Sequence, residues 1–299
     1  MRRHRIGAGI ALLLAGALAL GGCGATAAGQ GAKNVVVGSA NFTESQIIAS
    51  LYSQALQHAG YKVQEKFNIG SREVYVPALE KGDINVIPEY SGSLLRYLDK
   101  SSDASTVDAE LDELKAPLAD KKLKALKAAP AEDKDSLVVT KQTADKWNLK
   151  NIDDLAAHND EFTLGAPPEY QKRNLPGLDQ LYGVKPSKFV PLSDYGGPAT
   201  VTALKDGDVL GVDLFSTNPS IKQNGFVVLK DTKGLFPADN VVPIVSESVT
   251  DDKLEKTLNG ISEKLTTEEL LNLNAEVSGD KKTEPSVAAK QWLEDKKLI

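Results

Sequence analysis

One cysteine, three histidines, one methionine and two tryptophans in 299 residues leave little material for several kinds of chemistry. A single cysteine excludes a disulfide scaffold and a cysteine-based zinc site. His4 lies in the leader discussed below. His58 closes an amphipathic helical segment and His158 sits in a polar turn, and each reads as an ordinary surface or helix-end residue. The sequence contains no H-E-x-x-H, no G-x-S-x-G and no phosphate-cradling glycine loop. Nucleophilic and metal-assisted catalysis therefore have few candidate groups, and no cofactor or metal is expected. There is also no excess of positive charge. Lys and Arg number 35 against 41 Asp and Glu, a formal charge of −6, which argues against a nucleic-acid partner.

What is present begins with an address. Arg2, Arg3 and Arg5 precede an apolar run over residues 10–20, too short to span a bilayer, and Leu20-Gly21-Gly22-Cys23 follows. This resembles the bacterial lipoprotein signal: residues 1–22 are expected to be removed and Cys23 to be acylated. Losing the three arginines would take the formal charge from −6 to −9. Residues 23–32 are small and flexible, suited to a tether between lipid and folded body. The expected location is the extracytoplasmic face of the cell membrane, where ATP and NAD are poor expectations as cofactors.

From Asn34 onward, short apolar runs alternate with segments of helical period. Residues 34–38 read as a buried strand. Thr43-Glu-Ser-Gln46 then reads as a capping box before a helix ending at Gly60. Strands are expected at 63–69 and 84–87 with a helix at 71–81 between them, a βαβαβ run implying a parallel sheet. A second α/β unit is expected from residue 137, and a helical tail over 251–299 carries another capping box at Thr266-Thr-Glu-Glu269. No linker-like boundary divides the body, which suggests two lobes that the chain crosses between more than once. Ligands of such sheets bind beyond the carboxyl ends of strands. Those loops are 39–42, 70–72 and 88–93 in the first unit, and 166–173, 193–198 and 213–218 in the second.

Three stretches go beyond fold-level analogy: GSANFTESQ at 38–46, GSREVYVPALEKGDINVIPEYSGS at 70–93, and GGP at 196–198 with LKDGDV at 204–209 and DLFSTNP at 213–219. Together they resemble the osmoprotectant-binding lipoproteins of ABC importers, which take up glycine betaine, proline betaine, carnitine or choline. The resemblance implies a type II periplasmic-binding-protein fold. Lobe 1 would comprise residues 33–136 plus 242–299 and lobe 2 residues 137–241, with hinges near 137–139 and 242–244 and the ligand cleft between the lobes. It also implies a monomer that docks on permease and ATPase subunits.

A quaternary ammonium has no N–H to donate, so aromatic faces must hold it. The resemblance assigns Tyr90 and Phe215 to the cage, a hydroxyl contact to Ser93 and the ligand carboxylate to Arg173. It expects a lysine where this chain has Ala40, and further cage tyrosines where it has Ser136 and Val201. Asn41 and Phe42 lie in the first loop, and Phe42, Tyr75, Tyr170 and Tyr195 are candidates to fill the missing walls. Glu89 is expected to be hydrogen-bonded structure rather than a ligand group. The alternatives are a receptor for another small polar solute on the same fold, or an envelope enzyme or interaction module.

Overall fold

The computed structural model describes residues 33–279 and 281–299, so the leader, Cys23 and the tether lie outside the described residues. Two five-stranded sheets carry the architecture. The first is built from β1 (Asn34–Gly38), β2 (Lys62–Lys66), β3 (Val86–Tyr90), β4 (Leu123–Ala125) and β10 (Val241–Ser246), in the order β2-β1-β3-β10-β4. The second contains β5 (Asp135–Val139), β6 (Thr163–Ala166), β7 (Lys188–Pro191), β8 (Gly211–Phe215) and β9 (Val227–Val228), in the order β7-β6-β8-β5-β9. In each sheet three strands run parallel. The fourth and fifth positions pair through one strand that is antiparallel to both neighbours: β10 in the first sheet, β5 in the second.

Helices cover both faces of the first sheet. On one side α1 (Thr43–His58) packs with the tail helices α10 (Asp252–Lys264), α11 (Thr267–Ser278) and α12 (Pro285–Asp295), burying Ile47, Leu51, Leu258, Leu270 and Leu293. The other side holds α2 (Arg72–Lys81), α3 (Ser91–Leu98) and α4 (Val107–Ala119) over Ile84, Ile87, Leu114 and Ile244. Around the second sheet lie α5 (Lys141–Trp147), a 3-10 segment (Ile152–His158), α6 (Tyr170–Arg173), α7 (Leu175–Tyr182), α8 (Pro198–Asp206) and α9 (Pro219–Gln223). No helix among the described residues is long and apolar enough to cross a membrane.

The chain passes between the sheets twice, over residues 126–134 and 229–240. The stretches expected as hinges, 137–139 and 242–244, lie inside β5 and β10. The two crossings run side by side: Asp133 N–H donates to the Asp239 carbonyl at 2.9 Å and Val241 N–H to the Ala131 carbonyl at 3.0 Å. Hydrogen bonding of one connection to the other couples their backbone angles, so both must adjust together when the lobes move.

Several local expectations change. Thr43 is the first residue of α1, not its cap; Phe42 holds the cap position, and the Ser45 hydroxyl accepts from Ala40 N–H at 2.9 Å. Thr266 does cap α11, but Glu269 turns away to accept from the Trp292 indole at 2.7 Å and from Lys296. Residues 88–90 are strand rather than loop, and α3 starts at once from Tyr90. Pro88 faces Pro243 across the β3–β10 pair, so two missing N–H groups fall at one register position. That proline disguises the strand in the sequence.

Gly92, inside the motif over 70–93, meets the second crossing. A Cβ there would lie 2.3 Å from the Ala238 carbonyl and 2.6 Å from Pro237 Cβ. Backbone on the far side cannot yield, so Gly92→Ala should lower unfolding stability by about 1–3 kcal/mol in urea titration. A midpoint equal to that of the unsubstituted protein would refute this close-packed junction.

Candidate functional site

A cleft of about 70 Å³ opens where the ends of β1, β3, β6 and β8 face the start of β5. Its floor is aromatic. Phe42, at the start of α1, lies 5.1 Å from Phe215, 6.1 Å from Tyr90 and 6.1 Å from Tyr195 between ring centroids. Two of these rings come from the first sheet and its helices, and two from the second. Tyr90 is aimed by its hydroxyl, which donates to the buried Glu44. Tyr195 takes a left-handed backbone, φ 50°, in the turn before Gly196, and its hydroxyl donates to Glu169 at 2.5 Å. Both phenols are thereby held above their ordinary range, through burial first and then the neighbouring carboxylate.

All eight residues singled out as ligand contacts line this cleft: Tyr90, Ser93, Phe215 and Arg173, together with Asn41, Phe42, Tyr75 and Tyr195. Their side chains are engaged as follows. Ser93 donates through its hydroxyl and its N–H to Asp239. Tyr75 donates to Glu89 at 2.5 Å, and Arg72 forks onto the same carboxylate at 3.0–3.1 Å. Arg173 reaches across from α6 to Glu73 of α2, its Nη2 2.7 Å from both carboxylate oxygens. Burial resists ionisation of Glu73, yet hydrogen bonds from Arg173 and Ser71 hold its carboxyl down at about 2. The Asn41 side-chain carbonyl has no partner. Ala40 is buried at the cleft wall, whereas Ser136 and Val201 do not line it. Ser136 pairs with Leu214 and projects to the opposite face of β5 from Asp135.

Sequence reasoning missed the acids. Asp133, Asp135, Glu169, Asp213 and Asp239 all line the cleft. Asp133, Asp135 and Asp239 stand in no motif among the 41 acidic residues, while Glu169 and Asp213 fall in candidate loops with no role assigned to them. They come from strand starts, strand ends and crossings that only the tertiary fold brings together. Burial holds Asp133, Asp135 and Asp213 above the ordinary carboxylate range, with the Glu44 charge adding at Asp133 and the Asp135 charge at Asp213. Among the described residues, no group of three or more His, Cys, Asp or Glu is placed to hold a metal ion. The arrangement suits capture: aromatic faces for a cation, with carboxyl oxygens around them.

Burial pushes Asp239 up to about 8 from 3.8, against the Ser93 hydrogen bonds and the Arg72 charge that favour its ionised form. An acid whose folded value is raised binds its proton more tightly folded than unfolded. Its stabilising contribution is complete below the unfolded value and drains away as pH rises towards 8. Urea unfolding of the ligand-free protein should therefore lose stability between pH 5 and pH 8, by up to about 1.4 kcal/mol per pH unit from this group. Asp239→Asn should make the fall shallower. Equal slopes in the two proteins would show that Asp239 ionises normally.

Comparison with known proteins places this geometry. The family described as the substrate binding domain of the ABC-type glycine betaine transport system matches residues 33–295. The glycine betaine-binding protein YehZ of Escherichia coli is 28% identical over 274 residues, covering 87% of this chain and 90% of that one. The carnitine transport binding protein OpuCC of Listeria monocytogenes is 25% identical over 311 residues, covering 95% and 94%. A crystal structure of a glycine betaine/carnitine/choline ABC transporter protein superposes with a TM-score of 0.69 at 25% identity, over 88% of this chain and 99% of that one.

Proposed function

Because the chain belongs to the family of substrate-binding domains of ABC-type glycine betaine transport systems, we propose that it is the extracytoplasmic receptor of an importer, closing its lobes on a quaternary-ammonium solute and presenting it to a permease. The observation that carries this reading is the set of four rings, Phe42, Tyr90, Tyr195 and Phe215, gathered within 5.1–6.1 Å at the junction of the lobes. A quaternary ammonium cannot donate a hydrogen bond and is held by ring faces, each worth roughly 0.5–2 kcal/mol. Rings supplied by both lobes complete the cage only when the lobes are together, which couples binding to closure. The carboxyl oxygens around the cage turn acceptor atoms toward the same cation. The eight lining residues named from the sequence are the proposed contacts, with Phe42 and Tyr195 taking the walls that Ser136 and Val201 do not provide. Residues 33–136 with 242–299, and 137–241, are the proposed lobes. The partners would be permease and ATPase subunits, met by a monomer tethered through Cys23.

Thermal unfolding with a panel of betaines, carnitine, choline, amino acids and sugars tests the ligand class. A quaternary ammonium at about 100 times its Kd should stabilise the protein by about 2.7 kcal/mol. Stabilisation by an amino acid or a sugar alone would reassign the receptor to another solute. Tyr90→Leu should weaken that ligand at least tenfold by calorimetry, while Tyr90→Phe keeps the ring and most of the affinity. Equal affinity in Tyr90→Leu would remove the ring from the site.

The anchor is tested separately. In a bacterium that processes lipoproteins, the chain should fractionate with membranes and Cys23→Ser should not. Identical partitioning of the two would refute the lipid attachment.

A further inference from the structure

The charges around the cleft do not balance. Its three basic residues are each committed to an acid outside the lining: Arg72 to Glu89, Lys134 to Glu132 and Arg173 to Glu73. The five lining acids form no ion pair with a described residue. Asp133 accepts from the Ser216 hydroxyl and Thr217 N–H, Asp135 from the Asn174 amide, Glu169 from Tyr195 and Asp239 from Ser93. A ligand carboxylate would thus enter a cleft rich in acids, with every basic group already paired.

Three polar atoms in the same cleft lack partners: Asn41 Oδ1, on the loop before α1, and two on the side of the second sheet. Asp213 is 5% exposed and its Oδ1 accepts no hydrogen bond; Tyr170 is 3% exposed and its hydroxyl makes none. The Asn174 amide beside them is spent on Asp135 at 3.0 Å, and the Ser136 backbone N–H lies against the Asp213 carboxyl. The β5–β8 register explains why Asp213 points inward. Asp135 lies directly opposite Phe215, and Asp213, two residues earlier on β8, projects to the same face. A cage ring and a carboxyl oxygen without a partner are therefore neighbours on one strand. A buried acceptor left without a donor costs stability, and a site containing one discriminates strongly for a ligand that supplies the donor.

We propose that Asp213, with the Tyr170 hydroxyl beside it, forms a donor-accepting subsite next to Phe215, so that this receptor selects a net-cationic onium bearing an O–H or N–H group over a zwitterionic betaine ending in a carboxylate. This rests on the onium reading of the cage and narrows it. The onium head occupies the rings, while the donor at the other end of the ligand satisfies Asp213 Oδ1. Arg173 is paired with Glu73 across the cleft, so a ligand that touches it meets a guanidinium whose charge that carboxylate already offsets.

Calorimetric titration of the purified protein with four probes at fixed pH and salt tests the inference: choline, 2-aminoethyl-trimethylammonium, glycine betaine and tetramethylammonium. The hydroxyl- and amine-bearing cations should bind at least tenfold more tightly than glycine betaine and tetramethylammonium. In Asp213→Asn the preference for choline over tetramethylammonium should shrink at least tenfold. Tyr170→Phe, which removes one hydroxyl and keeps the ring, should shrink it severalfold and serves if Asp213→Asn does not fold. Tighter binding of glycine betaine than of choline, or a choline preference undiminished in the variants, would overturn the subsite while leaving the onium cage standing. Failure of all four probes to bind would overturn the cage reading and this inference with it.

Discussion

The carboxylate of Glu44, buried one turn into the first helix, is the tie on which the cleft depends. It accepts from the Tyr90 hydroxyl at the end of β3, the Thr217 hydroxyl just past β8 and the Asn274 amide in α11. Those donors belong to the first sheet, the second sheet's final loop and the C-terminal helices. An ionised group without such partners would be prohibitively costly at this depth, so the three segments must assemble around it. The consequence reaches the surface of the cleft. Tyr90 can present its ring only because its hydroxyl is anchored behind it, and the end of β8 that carries Phe215 is docked by Thr217 two residues later.

The same device recurs with other acids. Glu89 gathers Arg72 and Tyr75, Glu169 orients Tyr195, and Asp239 accepts the first-turn N–H of α3 through Ser93. In each case a carboxylate in or behind the wall fixes a side chain of the wall, so hydrogen bonds preorganise the aromatic surface. Preorganisation matters because each ring contributes little alone, and ordering four of them at the moment of binding would consume most of the gain.

Much of this was legible in the sequence, for identifiable reasons. β1 and α1 announce themselves through period, since Val35 and Val37 alternate inward and Ile47, Ile48, Leu51 and Leu56 fall on one helical face. Tyr90 and Phe215 are named through the family resemblance, each standing in one of its motifs, and the structure puts both rings in the cleft. The cage walls Phe42 and Tyr195 were named from loop position alone. Other features left no local trace. The strand through Pro88 was disguised by a residue that normally ends one, and its pairing with Pro243 joins positions about 150 residues apart. Asp133 and Asp239 lie in connections whose meaning emerges only when the two crossings hydrogen-bond together. Asp213 opens the loop expected over 213–218 but lies inside β8, where its direction follows only once the register against β5 is known.

That last residue shows how function departs from folding in this chain. The other acids of the cleft are matched with donors: Asp133, Asp135, Glu169 and Asp239 all have them. Folding alone would favour an apolar or paired residue at 213, because an unsatisfied acceptor in a dry wall costs about 1–3 kcal/mol. A strand can carry such a cost only as part of a structure with stability to spare, here supplied by two helix-covered sheets. The hydrogen bond that Asp213 Oδ1 lacks is one that a ligand can make, and it lies beside a ring suited to the ligand's cationic end. Specificity in this design comes from what the protein leaves unsatisfied as much as from the surfaces it offers.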